Sequence, residues 1–96
     1  MKEFEKFKMY ILDKKYFEAH EVLEEVWQKL RKEDNDLKWA YKGLINAAVS
    51  LELKKRKRDK MLYIKVWKNF EKYKKYYDIY KNIKDTALFI EKFKPF

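Results

Sequence analysis

Apolar positions recur at helical spacing along nearly the whole chain. Phe4, Phe7 and Ile11 share one face and predict a first helix over about 2–12, with Asp13-Lys14-Lys15 as the turn after it. Tyr16, Leu23, Trp27 and Leu30 predict a second helix over about 15–32. The acidic stretch Glu33-Asp34-Asn35-Asp36 then breaks the pattern and offers N-cap oxygens to the next helix, about 36–55. Within it, the run from Gly43 to Leu51 carries no charge on any side. A helix that is apolar all round is covered on more than one side, so this segment is expected at the centre. Gly43 and Ala47, one turn apart, predict the close approach of a neighbour. Asp59 opens a fourth helix over about 60–81, in which Tyr63, Val66, Phe70, Tyr73, Tyr77 and Tyr80 alternate spacings of three and four like a heptad stripe. A fifth, over about 86–94, follows Asp85, carries Leu88, Phe89 and Phe93, and is stopped by Pro95. There is no repeat and no low-complexity linker. The expectation is one all-α domain over 1–96, a compact bundle of about five helices around a central apolar helix.

Composition narrows the chemistry. The chain has 96 residues, 47% apolar and 43% charged, enough apolar surface to fold. Its single Gly cannot write either common glycine-rich phosphate loop, and scarce Gly and Pro argue against a β-rich fold. With no Cys, disulfides, thiolate metal sites and a cysteine nucleophile are excluded, and there is only one His. Ser50, the only Ser, sits mid-helix with no base nearby, which argues against a serine nucleophile. The N-terminal stretch is charged, and no segment approaches the ~20 apolar residues of a membrane span. The reading is a cytoplasmic, soluble protein with no membrane partner. The richness in Lys, Glu, Tyr and Ile is thermophile-like.

One polar pair stands out. On a wheel of about 100° per residue, His20 and Glu24 fall inside the apolar arc of the second helix, flanked by Trp27 and Phe17. A buried carboxylate needs a partner. Residues four apart on a helix lie one above the other, so an imidazole and a carboxylate there can chelate one ion. Further ligands would come from Glu52 or Asn46 on the central helix, or from water, and oxygen-rich ligation favours Mn, Fe, Mg or a weak Zn site among divalent metals. Two other readings stay open: an internal polar cluster, and an acid–base pair acting on a small ligand. The residues assign no catalytic step.

Tyr16 to Trp27 resembles the H-x-x-x-E-x-x-W signature of a prokaryotic family known as domain of unknown function 309, met by His20, Glu24 and Trp27. Gly43-Leu44-Ile45-Asn46-Ala47-Ala48 resembles the family's second block. The resemblance implies an all-helical fold and a metal at the motif. Lys42 and Glu52 depart from the family, which often carries Gln and His there.

Charge suggests a rival. Residues 1–48 have equal numbers of acids and bases, so the whole net charge of +9 lies in residues 49–96. Lys54, Lys55, Arg56, Lys57 and Arg58, with the lysines that follow, are candidates to neutralise nucleic-acid phosphates without reading sequence. Tyr73, Tyr76 and Tyr77 are candidates to stack on unpaired bases. A third reading is a homodimer that buries Trp39, Val49 and Leu53 on the flank of the central helix.

Overall fold

The chain converges on its uncharged centre. The computed structural model describes residues 2–96. Among them are five α-helices: α1 (Lys2–Leu12), α2 (Tyr16–Leu30), α3 (Leu37–Lys55), α4 (Lys60–Lys72) and α5 (Lys81–Glu91), with a 3-10 turn at Lys74–Tyr76 and no strand. The all-α bundle read from the sequence is the observed architecture. α3 packs against α2 and α4, and α1 lies against α2 and α5. Ala40, Tyr41, Gly43, Leu44, Ile45, Ala47, Ala48, Ser50 and Leu51 of α3 are all buried and cover more than half of the helix circumference, while Lys42, Asn46, Val49 and Leu53 on the remaining side are partly exposed. Phe4, Phe7 and Ile11 of α1 join them. Each large apolar side chain taken out of water contributes about 1.5–3 kcal/mol, which makes this cluster the main source of stability.

Gly43 meets a side chain rather than a helix backbone. A Cβ built there would overlap the Tyr77 hydroxyl oxygen. That hydroxyl donates to the Phe70 carbonyl at 2.6 Å. Phe70 lies in the last turn of α4, where carbonyls lack partners within the helix. Tyr77 therefore folds back over Phe70, ring centroids 5.2 Å apart, and occupies the space that Gly43 leaves.

This contact explains why the fourth helix is shorter than its stripe. The heptad pattern extends to Tyr80, but α4 stops at Lys72 and Tyr80 is extended at the start of α5. Tyr77 fits the stripe by spacing, yet reaches the core from beyond the helix end. The fifth helix also differs from the reading of about 86–94. It begins at Lys81, and its buried stripe is Ile83, Thr86, Ala87 and Ile90, not Leu88. Thr86 is tolerated inside because its hydroxyl donates to the Asn82 carbonyl at 2.7 Å. The cap of α3 comes from Asn35, whose Oδ1 accepts from the Leu37 amide at 2.7 Å, and Asp36 makes no side-chain cap.

With glycine absent from the turns, two helices end on lysine in the left-handed region. Lys14 (φ 60°) follows α1 and Lys57 (φ 57°) follows α3. The Lys15 amide reaches Tyr10 and the Lys14 amide reaches Ile11; the Arg58 amide reaches Leu53 and the Lys57 amide reaches Lys54. Both are the paired bonds of a Schellman ending, which normally uses Gly.

Candidate functional site

Small residues set the face that α2 buries. Ala19 and Leu23 are its fully buried positions. With Val26 and Leu30 they centre the buried arc about 90° from His20 on the helical wheel. His20 and Glu24 consequently lie at its margin, with side chains 24% and 31% exposed. Phe17, further round, is 45% exposed. The apolar arc read from Trp27 and Phe17 lies too near His20, because Ala19 carries little weight on a helical wheel.

His20 Nε2 stands 3.8 Å from Glu24 Oε2, beyond hydrogen-bond length. Glu24 instead accepts from the Gln28 amide at 3.0 Å. Glu24 is therefore neither deeply buried nor dependent on His20.

His20 forms a ridge between two hollows. On one side it meets Tyr10, Glu18, Glu21, Val22, Glu24 and Glu25. On the other it lines a groove of about 290 Å³ with Phe17, Val49, Glu52, Leu53, Arg56 and Arg58. The groove runs between α2 and the C-terminal half of α3. Val49, Glu52, Leu53 and Arg56 present to it at spacings of three and four, the repeat of one helix face. Phe17 packs its ring at 5.6 Å from His20, and the Arg56 guanidinium lies 5.9 Å above Phe17. Glu52 Oε2 accepts from Arg56 Nε at 2.5 Å, so these two charges largely cancel. Arg58 has no carboxylate partner among the described residues. Burial, and then the Glu52 charge, push the neighbouring Tyr16 phenol above its ordinary value.

The metal reading needs His20, Glu24 and a third ligand together. Glu24 and Glu52 open onto different hollows, and Arg56 holds the Glu52 oxygen. Among the described residues no group of three His, Cys, Asp or Glu side chains could hold an ion. The residues present do not fit the implied metal, and nothing further is routed through one.

Asn46 and Trp27 lie outside the groove. Asn46 donates to the Lys42 carbonyl at 2.7 Å and accepts from Asn69 of α4 at 3.2 Å, pinning α3 to α4. Trp27 carries the Lys42 ammonium 4.3 Å over its ring, a cation–π contact. Its buried indole N–H has no hydrogen-bond partner among the described residues. Lys42 thus covers the Trp27 ring.

The basic run does structural work that its charge concealed. Lys54 Nζ donates to the Pro95 carbonyl at 2.8 Å and ties down the tail, while Lys55 Nζ donates to the Lys14 carbonyl at 2.8 Å. Arg56 pairs with Glu52, and Lys57 supplies the left-handed residue of the helix ending. Cations here also offset the negative end of the α3 dipole. Of the three residues expected on a dimer flank, Trp39 stacks on Tyr73 at 5.7 Å, leaving Val49 and Leu53 in the groove. No helix among the described residues is long and apolar enough to cross a membrane.

Comparison with curated proteins and with solved structures finds no match. The profile of one family, described as domain of unknown function (DUF309), matches residues 4–63, more than half of the chain and every residue lining the groove. The chain belongs to that family.

Proposed function

We propose that this protein is a binding module whose groove takes a small apolar carboxylate. The observation that carries the reading is the makeup of the groove: apolar walls of Phe17, Val49 and Leu53 beside a guanidinium, Arg58, with no acidic partner among the described residues. A pocket that places an apolar body against hydrophobic walls and fixes one end with a charged group is the usual form of a small-ligand site. The volume sits at the small end for such sites and suits an acyl or aryl acid. Arg56 is neutralised by Glu52 and shapes the wall over Phe17, which leaves Arg58 to meet the carboxylate. His20 supplies the polar edge of the same groove.

The test is calorimetric titration with octanoate and with octanol, its neutral counterpart. Octanoate is expected to bind with a dissociation constant on the order of 1 mM. Octanol binds about tenfold more weakly, the difference one charge-assisted hydrogen bond makes. Arg58→Gln removes that difference, and Phe17→Ala weakens both ligands. Equal affinity for the acid and the alcohol in the wild type would end this proposal.

A further inference from the structure

At the end of the bundle where α3 begins and α4 stops, three aromatic rings form a ladder. Trp39 and Tyr73 stack at 5.7 Å with 20° between their planes, and Tyr73 and Tyr76 approach at 6.2 Å. All three are only partly buried. Each carries its own ammonium: Lys38 lies 5.4 Å from the Trp39 ring, Lys72 5.3 Å from Tyr73 and Lys75 5.2 Å from Tyr76. Lys38 is also held to the Glu33 carbonyl at 3.0 Å, which fixes its position beside the ring.

The charge on the α4 side of the ladder is mostly positive, whereas Glu33, Asp34 and Asp36 lie at the Trp39 end. From residue 60 to residue 84 the chain has eight Lys and two acids, Glu71 and Asp78. Both acids are engaged by lysines, Glu71 by Lys94 at 3.5 Å and Asp78 by Lys84 at 3.7 Å. The net charge beside Tyr73 and Tyr76 is therefore positive, and a strand would lie toward that side, away from the acids before Trp39.

We infer that the Trp39–Tyr73–Tyr76 ladder and its lysines are a platform for unpaired bases of a single-stranded nucleic acid. Aromatic rings alternating with cations suit a strand that offers alternating bases and phosphates. A base that slides onto Tyr76 or Tyr73 displaces the resident ammonium from the ring face to the adjoining phosphate, so stacking and charge pairing form together. A duplex keeps its bases stacked on one another and cannot use the rings. Lysines contact phosphates without reading bases, so the binding carries no sequence readout. This platform lies apart from the α2–α3 groove and differs from the residues the sequence suggested. Tyr77 is buried against Gly43 and is not part of it, Trp39 takes its place, and Lys54 and Lys55 are occupied elsewhere.

The experiment compares full-length protein binding to oligothymidine, to an abasic oligomer of the same length and charge, and to a duplex, each across a salt series. Oligothymidine is expected to bind at least tenfold more tightly than the abasic strand, since stacking on one ring alone is worth about that factor. Tyr76→Ala, at a partly exposed position, removes at least that factor, and Tyr76→Phe restores it. Lys75→Gln lowers the slope of log affinity against log salt by about 0.7, one phosphate contact to a single strand. Arg58→Gln, in the groove, leaves oligothymidine binding unchanged. Circular dichroism and melting of each variant separate loss of binding from loss of fold. Equal binding of the abasic and thymidine strands, or of the duplex, overturns the inference. So does a folded Tyr76→Ala protein with wild-type affinity.

Discussion

α3 has two flanks of opposite fate. One carries Gly43, Ala47 and Ser50 and is closed: Tyr77 fills the place of a missing Cβ, and the Ser50 hydroxyl donates to the Tyr63 carbonyl of α4 at 2.6 Å. The other carries Val49, Glu52, Leu53 and Arg56 and stays open as a groove toward Phe17 and His20. Neither flank is conspicuous by hydrophobicity. The difference is size. Small residues let neighbours approach until no solvent remains, whereas branched and long side chains hold α2 off and leave space that a ligand can use. On this account the closed flank sets stability and the open flank sets binding.

The sharpest way to break that division is Gly43→Ala. One methyl group must displace the Tyr77 ring and its bond to Phe70, an overpacking that should cost about 3 kcal/mol in urea unfolding. Tyr77→Phe removes the closest atom and should recover part of that loss in the double variant. Leu53→Ala, on the open flank, should cost no more than about 1 kcal/mol, as expected for a partly exposed side chain. A Gly43→Ala loss below that of Leu53→Ala would reverse the assignment of the flanks.

Alkali gives the second test. Burial holds the Tyr77 phenol above its ordinary value, with the neighbouring Tyr73 and Glu91 adding to the effect. Burial does the same to Tyr41, which also donates to Glu3 Oε2 at 2.7 Å. For an acid whose folded value is raised, the unfolded chain loses its proton first. The stabilisation is whole below pH about 10, the unfolded value, and declines as pH rises beyond it. Each tyrosine should cost about 1 kcal/mol per pH unit in that range, and Tyr77→Phe should flatten the decline. A stability curve that is level from pH 9 to pH 12 would mean these phenols ionise freely in the folded protein.

Smaller effects follow at single bonds. Ser50→Ala should lose about 1 kcal/mol, because Tyr63 still has its backbone partner. Lys57→Gly should gain about 0.5 kcal/mol by relieving a left-handed side chain, less the entropy glycine adds to the unfolded chain. Glu24→Gln should shift stability by less than about 0.5 kcal/mol, since its carboxylate is partly solvated and its partner is Gln28. A chelator should leave the melting temperature of both wild type and Glu24→Gln unmoved. A chelator-induced drop confined to the wild type would restore a metal at His20 and Glu24.

The fold was legible wherever the pattern depended on large side chains in regular helices. Phe4, Phe7, Ile11 and the uncharged centre of α3 announced their burial directly. The pattern failed where a small residue or an irregular segment decided the packing. Ala19 turns α2 by enough to bring His20 to the margin, and an alanine carries little signal on a helical wheel. Tyr77 keeps heptad spacing while reaching the core from beyond the end of α4, so periodicity overran the true boundary. The candidate site was half legible: His20, Phe17 and Glu52 were singled out and do line one groove, while Trp27 and Asn46 serve the packing of α2, α3 and α4. Arg58 was grouped with a basic run by its neighbours in sequence. Only the fold shows that Lys54 and Lys55 are engaged by carbonyls and that Arg58 faces the groove.

The most direct measurement is a titration of isotope-labelled protein with octanoate, followed by amide chemical shifts. If the open flank of α3 is the binding surface, the shifts concentrate at Phe17, His20, Val49, Leu53, Arg56 and Arg58, and Gly43, Ala47 and Ser50 do not move. Shifts spread evenly over the lysines of α4 and α5 with the groove silent would contradict the account.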